Sequence, residues 1–160
     1  MDQAVPGPAP TKLVFLSQIP TYPVNFKVRF LGCVSKYNTA TGRLTLHHNY
    51  SMHGLESQIS HVEVDINLLL EDTDHTSLQI GVWLNVFGYI REENSDEYRR
   101  RERESTRRNS EKEGHISSDK PIYVQAVTIL PAGPVRIGEY ERILRDMQRV
   151  ERRVNDDRIV

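Results

Sequence analysis

The sequence predicts an all-β domain followed by a C-terminal α-helix, and three features carry that expectation. Alternating apolar and polar residues recur in five stretches, two of those stretches are long with an internal glycine, and the chain closes on an amphipathic helical stripe. Residues 1–11, with Pro6, Pro8 and Pro10, are expected to be a disordered tail. LVFLSQIP then starts the ordered part as an extended segment closed off by Pro20 and Pro23. The first long strand runs from Phe26 to Tyr37, with Phe26, Val28 and Phe30 on one face and Lys27 and Arg29 on the other. Gly32 inside it marks a bend of the kind a sheet needs in order to curl. The turn NTATG leads to a second strand, Arg43 to Asn49. A third, His61 to Ile66, turns Val62, Val64 and Ile66 inward, and Asn67 to Asp72 forms a short helical turn. The fourth strand, Gly81 to Glu92, is long again and holds Gly88; the fifth spans Ile122 to Leu130.

Five strands in this order, with a short helix after the third and a helix at the end, match a five-stranded OB-fold barrel with a C-terminal α-helix. An open meander and an SH3-like barrel compete with it. The two long strands with bending glycines favour the OB-fold. The expected organisation is one OB-fold domain over 12–154, interrupted by a charged insertion at 93–120 and followed by a tail at 155–160. That insertion holds eight basic and eight acidic residues and almost no aliphatic ones, so it is expected to be disordered. In the terminal helix, Ile137, Tyr140, Ile143, Leu144, Met147, Val150 and Val154 fall at steps of three, one or four and make one apolar face. Such a face belongs either to its own barrel or to another protein.

Composition narrows the function classes. The 160 residues carry a net charge of −1, so nucleic acid, if bound, must be held by a local patch. A single cysteine, Cys33, excludes an internal disulfide framework and fits a reducing compartment; no signal peptide or membrane-length apolar run is present. The expectation is a soluble intracellular protein without a membrane role. His47 and His48 are adjacent on a strand and point to opposite faces, and no cysteine accompanies them, His53 or His61, which argues against a metal site. No nucleophile motif, phosphate loop or GxGxxG occurs, so neither an enzyme nor a cofactor is expected.

Single-strand binding by OB-folds combines cations that track the backbone with aromatics that stack bases. The outward candidates on the first two strands and their turn are Lys27, Arg29, Lys36, Tyr37, Arg43 and His47. Trp83, Phe87, Tyr89 and Tyr123 are the accompanying aromatics.

LVFLSQIP, KVRFLGCVSKYNTATGRLTL, GVWLNVFGYI and VQAVTILPAGPVRIGEYERIL, in that order, resemble the smallest subunit family, Ten1, of the telomere-capping CST complex. The charged insertion departs from that compact pattern. The resemblance implies a nuclear, non-catalytic subunit at chromosome ends that pairs with the N-terminal OB-fold of a Stn1-type subunit in a heterodimer. It further implies that this pair, with the large CST subunit, holds single-stranded telomeric DNA. On that reading the helix stripe is meant for the partner, with Tyr140, Ile143, Leu144, Met147 and Val150 as anchors and Arg136 and Arg145 as polar flanks. Two rivals remain: a free-standing single-strand binder of the replication protein A type, and a homodimeric adaptor joined through the same helix.

Overall fold

The computed structural model describes residues 7, 10–49, 60–106 and 121–158. Six strands form one sheet: β1 (Lys12–Leu13), β2 (Lys27–Asn38), β3 (Arg43–His48), β4 (Ser60–Asp65), β5 (Trp83–Glu92) and β6 (Ile122–Pro131). The order is β1-β2-β3-β4-β6-β5, and a further β2–β5 pairing joins the ends. Five strands thereby close into a ring, which leaves few backbone groups on open edges. The ring contains one parallel contact, Val64 with Val124 and Asp65 with Gln125, where β4 meets β6. This is the OB-fold arrangement. β2 is long because it serves three neighbours, pairing with β1, β3 and β5.

The alternation read from the sequence describes the barrel interior well. Val28, Phe30, Val34, Leu44, Leu46, Val62, Val64, Leu84, Val86, Ile90, Val124 and Ala126 fill it. Leu16 and Ile19 close the filling from a 3-10 turn, Leu16–Thr21. That turn corrects the expected extended segment, of which only Leu13, in β1, is strand.

The two glycines expected to bend the long strands act differently. At Gly88 the β5–β6 register does shift, and an added Cβ would lie 2.4 Å from the Gln125 carbonyl oxygen. In β2 the shift falls between Val34 and Lys36 instead, while Gly32 lets Leu46 pack 3.0 Å from where its Cβ would stand. A shift of one residue exchanges the faces of a strand. Tyr37, expected to point outward, therefore pairs with Leu44 and packs against the core.

Helices flank the barrel. α1 spans Ser95–Thr106, inside the segment expected to be disordered, and that part of the expectation is corrected. Asp96 and Glu97 in its first turn and Arg103 in its last suit the helix dipole, and Glu and Arg are good helix formers without any apolar burial. Residues 107–120 of the insertion lie outside the described residues, as do most of the tail at 1–11 and His53. α2 spans Ile137–Asp157, so the helix continues past Val154 into the expected C-terminal tail.

Candidate functional site

α2 rests on the barrel along one side only. Leu144 is its one buried residue, 2% exposed. Around it, polar pairs fasten the helix. His48 Nε2, at the end of β3, lies 2.9 Å from Glu141 Oε1. The Gln18 and Gln148 amides exchange hydrogen bonds of 3.1 and 2.8 Å, and Lys12 pairs with Glu151. The His48 ring is itself enclosed, edge-on to Trp83 at 5.3 Å and near Tyr140 and Phe15. Tyr140 is half-buried, and burial pushes its phenol up from the ordinary value, with Arg29 and the Leu31 backbone pulling the other way.

The apolar stripe therefore divides. Tyr140 and Leu144 meet the barrel, whereas Ile143, Met147, Val150 and Val154 remain 55%, 48%, 59% and 46% exposed. These four follow the spacing i, i+4, i+7, i+11, one face of a helix. Ile143, Met147 and Val150 line a shallow apolar groove with Asp146 and Glu151 at its margins.

Of the expected partner anchors, Leu144 is corrected: it is enclosed by its own barrel and offers no surface to another chain. Arg136 is exposed where α2 begins and pairs with Glu139 at 3.2 Å. Arg145 turns toward Lys12, Phe15 and Gln18, away from the exposed stripe. The sequence reading did not select the helix's own anchors, His48, Glu141 and Gln148. Their spacing along the chain gives no sign that they meet.

The six expected nucleic-acid residues separate as well. Arg43 is corrected: it is 7% exposed, stacks 4.1 Å over the Tyr123 ring, and lies 3.1 Å from both Glu63 and Glu93. Burial works against its charge, the two carboxylates outweigh that, and its pKa moves up. Tyr37 is turned to the core, as described above. His47 is half-buried between Cys33 and His61, with Nδ1 enclosed. Lys36 is exposed at the far end of β2. Lys27 and Arg29 stand together on the outer wall of β2, facing Tyr89 and Phe87 across the β2–β5 pairing.

A model of the Ten1 family, described as a telomere-capping, CST complex subunit, matches residues 1–145. The chain belongs to the Ten1 family. No match was found among curated proteins. Two solved structures are similar in fold. A chain of the S. pombe Stn1–Ten1 complex is 24% identical with a TM-score of 0.57, covering 89% of this chain and 96% of that one. S. pombe Ten1, a telomere-capping protein, is also 24% identical, with a TM-score of 0.55 and coverage of 88% and 99%. In this Ten1-family chain no helix among the described residues is long and apolar enough to cross a membrane. Among the same residues, no group of three or more His, Cys, Asp or Glu is placed to hold a metal ion.

Proposed function

We propose that this Ten1-family subunit acts in the nucleus at chromosome ends as a non-catalytic scaffold, pairing with the N-terminal OB-fold of a Stn1-type subunit through the exposed face of α2. The observation that carries this reading is the second stripe, Ile143, Met147, Val150 and Val154, left open on a helix whose other side is already fastened to the barrel. Half-exposed apolar residues in a row on one helix face are the kind of surface that a groove or a partner helix covers. The relative solved as a Stn1–Ten1 complex shows that a chain of this fold is found in such a pair. Binding of telomeric single strands is then the work of the assembled complex, including the large subunit. Co-expression with a Stn1-type N-terminal domain tests the pairing. One-to-one co-purification that Met147→Glu abolishes is the expected result. A free chain that elutes as a dimer by light scattering, and whose dimer Met147→Glu breaks, would assign the stripe to a second copy instead.

A further inference from the structure

One row of side chains runs straight across the sheet. Trp83 on β5 pairs with Cys33 on β2, Cys33 with His47 on β3, and His47 with His61 on β4. Residues paired directly across strands stand on the same face. Val34, Leu46 and Val62, each one residue away from the row, fill the barrel, so the row itself faces out. At its open end two imidazoles stand side by side. His61 is exposed. His47 is half-buried with Nδ1 enclosed, which leaves Nε2 as the nitrogen it offers outward. Among the described residues neither ring takes part in a hydrogen bond or an ion pair.

The sequence argues against a metal because His47 and His48 are neighbours, and these two do take opposite faces, with His48 turned to Glu141. The histidine that shares a face with His47 comes instead from the next strand. Directly opposed residues have Cβ atoms about 4.5–5.5 Å apart. Two imidazole nitrogens on one metal ion, each about 2.0–2.1 Å from it, are about 3 Å apart, a gap that a slight lean of the two rings closes. The cleft beside His61 is lined by Glu63 and Glu93, and by no lysine or arginine among the described residues.

We propose that His47 and His61 form a two-histidine chelate, across the β3–β4 ladder, for a divalent transition-metal ion of the zinc, nickel and copper class. Imidazole nitrogen suits these ions, whereas magnesium and calcium take oxygen ligands. The strand register holds the two rings together before the ion arrives, so little freedom is lost on binding. Two protein ligands leave the remaining coordination positions to water. Cys33 is the next donor in the row, but it lies beyond His47 and is buried, so the pair of rings and not the thiol makes the site. A bound ion ties β3 to β4 one pair before their ladder ends at His48 and Ser60. This site does not depend on what covers α2, and its failure leaves the helix reading untouched.

The test is isothermal titration of Ni²⁺ and of Zn²⁺ into the untagged full chain, with Mg²⁺ present in excess. One ion per chain should bind saturably in the micromolar range. His47→Gln and His61→Gln should each weaken binding by at least about tenfold, the cost of losing even an outer partner of a metal ligand. His75→Gln, which alters an exposed ring elsewhere on the chain, should change nothing. His61 is exposed, so its variant decides the matter if His47→Gln fails to fold by circular dichroism. Cu²⁺ gives a second readout through Trp83, the one tryptophan. The row places that indole about 12 Å from the ion, at about 4.8 Å per strand, so Cu²⁺ should quench its fluorescence saturably in the native chain and not in His61→Gln. No saturable binding by the native chain, or binding by His61→Gln within about twofold of native, overturns the proposal. Loss of binding in Cys33→Ala overturns it too, in favour of a site on the thiol.

Discussion

Replacing Met147 with glutamate separates a helix made for a partner from a helix made for its own core. Met147 is 48% exposed, so a partner can still remove about half of its side chain from water. Full burial of such a side chain is worth about 1.5–3 kcal/mol, which makes the half about 1 kcal/mol. Ile143, Val150 and Val154 are exposed to similar degrees, so the stripe together offers about 4 kcal/mol, or roughly a thousandfold in Kd. Met147→Glu removes its own share and forces a carboxylate into a dry contact, which adds several kcal/mol in practice. Binding to the Stn1-type domain should weaken by at least a hundredfold (about 2.7 kcal/mol) in isothermal titration. The isolated variant should melt close to the native chain, because a half-exposed surface position changes stability by about 0.5 kcal/mol or less. Leu144→Ala is the contrast: it opens a buried site and should cost about 2–5 kcal/mol of fold stability. A Met147→Glu chain that binds within twofold of native refutes the assignment. So does one that melts as low as Leu144→Ala.

Other expectations are equally direct. Arg43→Met leaves the enclosed Glu93 without its guanidinium and should cost about 3 kcal/mol in urea unfolding, part of which Glu93→Gln restores in the double variant. Gly88→Ala drives a Cβ into the Gln125 carbonyl oxygen, and overpacking of this kind should lower stability by about 1–3 kcal/mol or prevent folding, read by thermal melting. Burial pushes the Cys33 thiol up, against a hydrogen bond at Gly81, so the folded chain holds its proton where the unfolded chain has lost it. Stability should fall as pH rises past the ordinary thiol value, about 8.5, and the fall should be shallower in Cys33→Ala.

The barrel was legible because its signal is local. Val28 and Phe30, Leu44 and Leu46, and Val62 and Val64 each declare a buried face within a few residues, and pairing order follows from their sequence. What escaped was set by contacts across long separations. Arg43 looked like an outward cation because its partner Glu93 is fifty positions away. Tyr37 changed face because the register slips at Ser35, where no glycine or proline announces it. α1 was missed because low apolar content argues against burial, and a solvent-exposed helix needs none. The stripe on α2 was visible as a whole, but a periodicity of 3.6 cannot say which part of a wide apolar face the barrel covers. That division depends on His48, Gln18 and Lys12, all outside the helix.

Those three pairings also fix the phase of α2. One residue of slip turns an α-helix by about 100°. His48 with Glu141, Gln18 with Gln148 and Lys12 with Glu151 each fit at one rotation only. They act as keys that hold Leu144 against the barrel and leave Ile143, Met147 and Val150 facing outward.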